Sequence, residues 1–186
     1  MTQTKYRMAL TAFALALFLP LTTAAQSGGR DHLTPQEVEL VKEAQILDQR
    51  IGVFIKAAER RLQALNIAPT TVSKKSKKDA ELWGDLPTGT RVELLNDLAK
   101  ILDEAINKID DVSAHDENNV LVPKALRKLS AAATAFLPQL NALGTQTQDQ
   151  EERAAIGQSI ENVQSIIDAA NKLPPPINKK KEKKSE

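Results

Sequence analysis

Leu33-Thr34-Pro35-Gln36-Glu37-Val38 opens the segment Leu33 to Leu65, the stretch that decides the fold class. Thr34 is a residue type that accepts the first free amides of a helix. Pro35 takes the first helical position, where a missing N–H costs nothing. Glu37 falls three residues after the cap and completes a capping box, with Leu33 and Val38 flanking it as a hydrophobic staple. Behind them Leu40, Ala44, Leu47, Ile51, Phe54 and Ala58 recur at alternate spacings of four and three. That period lays them along one face of an α-helix, and Val41, Ile55 and Leu62 widen the stripe. The spacing predicts one long helix from about Pro35 to Asn66. Gly52 lies inside it at a cost of about 1 kcal/mol relative to Ala. A helix with one wet face and one apolar face needs partners.

Three further stretches supply them. Thr90 and Glu93 form a second capping box. Leu94, Leu95, Leu98, Ile101, Leu102, Ala105, Ile109 and Val112 follow as an apolar stripe. A third helix is predicted from Pro123 to Leu143, stopped by Gly144, with Pro138 kinking or shortening it. A fourth runs from about Asp149 to Lys172 on Ile156, Ile160, Val163, Ile167 and Ala170. No stretch alternates as a strand does. The expectation is an all-α fold, an antiparallel four-helix bundle with a long first helix occupying residues 35–173.

The ends read differently. Lys5 and Arg7 precede an apolar run from Met8 to Leu19, then Pro20 and the small residues Thr22-Thr23-Ala24-Ala25. This order is that of a secretory signal peptide, residues 1–25, cleaved after Ala25. The alternative is an uncleaved membrane anchor, since the uncharged run of about 18 residues borders on a spanning length. Residues 26–34 are expected to be flexible. Residues 174–186 form a Pro- and Lys-rich tail without core-forming content, expected to be disordered. The 186 residues hold 25 basic and 24 acidic side chains and no Cys. Without Lys5 and Arg7, and without the tail from Lys179, the body counts 18 against 22. A mildly acidic body with a basic end names no partner by balance alone.

Residues 68–89 make a long connection, a length often associated with function. Its first half holds Lys74, Lys75, Lys77 and Lys78. Its second half is Leu82-Trp83-Gly84-Asp85-Leu86-Pro87. Trp83 is expected to plug its own core. The competing expectation is an anchor for a partner, because Trp is enriched at interface hot spots.

Several chemistries are excluded. The two histidines, His32 and His115, follow Gly29 and Val112 at three residues, so neither forms the Glu-x-x-His pair of a di-iron bundle. Met occurs only at positions 1 and 8, so a mature chain has no Met ligand for haem, and zinc sets fail on His and Cys count. The acidic turn from Asp110 to Asn119 lacks the Gly and ligand spacing of a calcium loop. No Gly-x-Ser-x-Gly nucleophile motif is present. No cofactor, metal or catalytic residue is expected.

What remains is binding. The expectation is an exported, non-enzymatic helical protein, periplasmic or extracellular, that binds a protein or an anionic envelope surface. The candidate residues are Lys74, Lys75, Lys77, Lys78, Trp83, Lys179, Lys180, Lys181, Lys183 and Lys184. The long first helix also allows self-association. Nucleic acid is not expected, because no aromatic interleaves with either Lys run to stack bases. The alternative function is a carrier of small apolar ligands, or an enzyme, with a pocket between the helices under the Trp83 loop.

Overall fold

The computed structural model describes residues 31–65 and 81–175. The predicted signal segment, Lys74, Lys75, Lys77, Lys78 and the Lys179–Lys184 tail lie outside the described residues. Among the described residues the fold is all-helical: α1 (Pro35–Glu43), α2 (Leu47–Ala64), α3 (Arg91–His115), α4 (Leu121–Gln146) and α5 (Gln150–Asn171), with a further helical turn at 81–83. No described helix is long and apolar enough to cross a membrane.

Both capping boxes form. The Thr34 amide donates to Glu37 Oε2 at 2.9 Å and the Glu37 amide to Thr34 Oγ1 at 3.3 Å. Thr90 and Glu93 repeat the exchange at 2.7 and 3.2 Å. Asp149 caps α5 by accepting from the Glu152 amide at 2.8 Å.

The single long first helix is corrected to two. Ala44 leaves helical geometry with ψ at 82°, and Arg50 Nε donates to its carbonyl at 2.9 Å. Gln45 Nε2 donates to the Lys42 carbonyl at 2.6 Å. These two side chains satisfy carbonyls left open by the break, and α1 folds back on α2. The gain lies 23 residues apart in sequence. In a continuous helix Glu37 and Arg60 would stand about 35 Å from each other at 1.5 Å per residue; here they are 3.1 Å apart.

The third helix also differs. It starts at Leu121, whose amide donates to Asn119 Oδ1 at 3.0 Å, and runs through both Pro138 and Gly144. Phe136, Leu140 and Leu143 are buried on either side of the proline. Their burial offsets the interior-proline penalty of about 3 kcal/mol.

Ile51, Phe54, Leu62, Leu95, Leu98, Ile101, Leu102, Leu129, Leu140, Ile156 and Ile166 fill the centre of one core. Buried Ala57, Ala58, Ala105, Ala125 and Ala133 let the helix axes approach. The neighbours are not those of a simple up-and-down chain. α3 and α5 run in the same direction: Arg91 pairs with Glu152 at 3.1 Å and Asn162 Nδ2 donates to the Ala99 carbonyl at 3.0 Å. α2 and α4 also run alike, with Lys124 Nζ 2.7 Å from Asp48 Oδ2 and Lys128 Nζ donating to the Asp48 carbonyl at 2.7 Å. α3 and α4, consecutive in the chain, meet only sparsely. The all-antiparallel expectation therefore fails for these two pairs.

The Lys124 hydrogen bond holds the Asp48 carboxyl below its ordinary value of 3.8. A carboxyl depressed by folding stabilises above its unfolded value, and that contribution disappears as pH falls through the folded value. Thermal melts of wild type and Asp48→Asn from pH 7 down to pH 2 should therefore show a gap at neutral pH. The gap should close once the medium is more acidic than the ordinary carboxylate range.

Candidate functional site

The site is built around one carboxylate. Glu37 is fully buried and Arg61 is 1 % exposed. Arg61 Nη1 donates to Glu37 Oε1 and Oε2 at 2.5 and 2.6 Å, and Arg60 Nε to Oε1 at 3.1 Å. Both Arg come from the end of α2 and Glu37 from the first turn of α1. Glu37 thus has two jobs: it completes the capping box and it is the counter-charge that two buried guanidinium groups share. Charges removed from water persist only when paired and hydrogen-bonded.

Other donors of the two guanidinium groups tie in chain segments outside the helices. Arg61 Nη2 donates to the His32 carbonyl, and Arg60 Nη2 to the Asp85 carbonyl. Arg60 also reaches the Gly84 carbonyl at 3.4 Å. His32 Nε2 lies 2.8 Å from Glu104 Oε2 on α3, and Leu33 is buried in the core. Residues 31–34, expected as part of a loose segment, are therefore strapped across α2 and α3. Gly84 has φ +63°, a left-handed turn that a side chain resists. A Cβ there would also stand 3.3 Å from the Gln36 side chain.

This clamp fixes the position of Trp83. The Arg60 guanidinium carbon is 5.7 Å from the ring centroid, a cation–π contact of about 0.5–1 kcal/mol where water has access. Trp83 is half-buried and stands outside the core cluster. Leu82 is 53 % exposed and Leu86 38 %, while Pro87 is the buried residue of the segment. The expected core plug is thus corrected: Trp83 rests on Arg60. Leu82, Trp83 and Leu86 together present apolar surface on a segment whose backbone is held by a buried cation.

An apolar cleft among the described residues lies elsewhere. It measures about 230 Å³ and is walled by Ile106 and Ile109 of α3, Leu126 and Leu129 of α4, and Ile166 of α5. No residue of the Trp83 segment lines it, so it is not the pocket expected beneath that loop. No group of three or more His, Cys, Asp or Glu side chains placed to hold a metal ion occurs among the described residues. At the acidic turn, Asp116 Oδ1 accepts from the Asn118 amide at 3.2 Å and His115 Nδ1 lies 2.6 Å from the Asp111 carbonyl. Those groups finish the helix.

The Glu37 cluster was missed by sequence reasoning, although a signal existed. The four-and-three spacing that places Ile51, Phe54 and Ala58 on the buried face next falls on Arg61. A charge on that stripe calls for a buried counter-charge. The partner was hidden because Glu37 already had a sufficient explanation as a cap.

No family model matches this chain, and comparison with curated proteins and with solved structures gives no match.

Proposed function

We propose that this protein is an exported, non-enzymatic helical protein whose function is binding, with Leu82, Trp83 and Leu86 as its contact surface. In this reading residues 1–25 direct export and are removed, and α2 to α5 constitute a four-helix bundle that carries the surface outside the cytoplasm. The partner is a protein or an anionic envelope surface. Lys74, Lys75, Lys77 and Lys78, a few residues before Trp83, supply attraction to acidic groups, and Lys179, Lys180, Lys181, Lys183 and Lys184 supply a second basic segment.

The observation that carries this reading is the exposure of two Leu around a half-buried Trp on a clamped segment. Apolar groups held rigid lose little conformational entropy on docking, which favours affinity. The way Glu37 is used supports a binding role over a catalytic one. Both its oxygens accept from Arg61 Nη1, and Oε2 also takes the Thr34 amide, so a substrate would have to displace them.

Retention on an envelope extract tests the proposal. The chain from residue 26 is compared with a Leu82→Ser, Trp83→Ala, Leu86→Ser variant at low and high salt. Truncating a Trp hot spot costs at least about 2 kcal/mol, roughly a thirtyfold loss of affinity. The variant should lose retention of that order while keeping its helical circular dichroism. Retention unchanged by the triple substitution would overturn the assignment.

A further inference from the structure

The cleft between α3, α4 and α5 lies toward the ends of those helices from which the C-terminal segment departs. Ala169 forms part of its wall, and α5 ends two residues later at Asn171. Arg127 of α4 then donates to the Pro174 carbonyl at 2.5 Å, holding the chain beside the helix that supplies Leu126 and Leu129. Eleven residues follow Pro175. Extended, they span up to about 36 Å, enough to return across the mouth of the cleft.

The chemistry of the two parts is complementary. The cleft is apolar, with Asp110 and Ser165 as its polar members. Asp111, Asp116 and Glu117 continue the acidic run at the end of α3 and in the turn beyond it. Lys108 stands 3.9 Å from Asp111. The segment Pro176-Ile177-Asn178 followed by Lys179-Lys180-Lys181-Glu182-Lys183-Lys184 has one aliphatic residue and five cations. An apolar cavity of about 150 Å³ already holds a molecule the size of benzene. A volume of about 230 Å³ therefore accommodates one aliphatic side chain.

We propose that this cleft is a docking site for the chain's own C-terminal segment, with Ile177 in the cleft and Lys179 to Lys184 against the carboxylates of Asp110, Asp111, Asp116 and Glu117. Docking covers Ile106, Ile109 and Ile166 and occupies the lysines. An outside anionic surface then competes with the cleft for the same segment. The docking itself stands apart from what the Trp83 surface binds.

The chain contains no Cys, so a single Ser185→Cys substitution allows a nitroxide to be attached at one place. Methyl spectra of the full chain are recorded with the label oxidised and then reduced. The expected result is loss of the Ile106, Ile109 and Ile166 methyl signals in the oxidised sample, with Ile156, toward the other end of α5, retained. The signals should return at high salt, which screens the lysines, and in the Ile177→Asp variant. Three results would overturn the proposal: no selective loss, loss unaffected by Ile177→Asp, or equal loss when labelled protein is mixed with an unlabelled, isotope-enriched copy. The last result would assign the contact to a second molecule.

Discussion

Glu37→Gln lowers the thermal midpoint by roughly 10 °C. The substitution keeps the shape of the side chain and removes its charge, leaving Arg60 and Arg61 buried without a counter-ion. Breaking a buried ion pair from one side costs about 3–5 kcal/mol, and each kcal/mol is worth about 2–4 °C in a chain of this size. Three contacts fail together: α1 on α2, the 31–34 strap that Arg61 holds through the His32 carbonyl, and the 84–85 segment that Arg60 holds. A Glu37→Leu, Arg60→Met, Arg61→Leu variant should recover much of the loss, because an apolar replacement of a whole buried cluster is often neutral or better. Calorimetry of the three proteins checks both statements. A single variant as stable as wild type would mean that Glu37 carries no unique counter-charge.

Phe54→Ala is expected to cost a comparable amount for a different reason. Phe54 is 1 % exposed and sits in the core between α2 and its neighbours. Deleting its ring removes transfer free energy and leaves a cavity, together about 3–5 kcal/mol. Trp83→Ala removes a larger ring but one that is half-buried and outside the core. Its cost should stay near about 1 kcal/mol, the scale of its cation–π contact. Denaturant titrations should show a large fall in the midpoint for Phe54→Ala with little change in slope, and a small fall for Trp83→Ala. The reverse order would put Trp83 back in the core.

The apolar stripes made most of the fold legible. Leu94 to Ile109 and Ile156 to Val163 fall on the faces that are buried, because a period near 3.6 leaves little choice of face. The cap residues Thr34, Thr90 and Asp149 mark helix starts for an equally local reason. The break at Ala44–Ile46 was not legible. No Gly or Pro marks it, and what stabilises it is tertiary: Arg50 on the Ala44 carbonyl, and Glu37 brought to Arg60 and Arg61. The pairing of α3 with α5 was hidden as well, since an apolar stripe says that a helix has neighbours without saying which. At the candidate site Trp83 was singled out from the sequence, but its setting was inverted. Leu82 and Leu86 are apolar by type yet both are exposed, and Arg60 holds the Gly84 and Asp85 carbonyls between them.

The clamped Leu82–Trp83–Leu86 segment is the proposed contact surface. Placing a photo-reactive phenylalanine analogue at position 82 in the chain expressed in living cells tests this. A control carries it at Lys100, an exposed site on α3. The expected result is a discrete adduct at 82, persisting at high salt, absent at 100, and lost when Trp83→Ala is added. Equal labelling at both positions, or an adduct at 82 indifferent to Trp83→Ala, would contradict it.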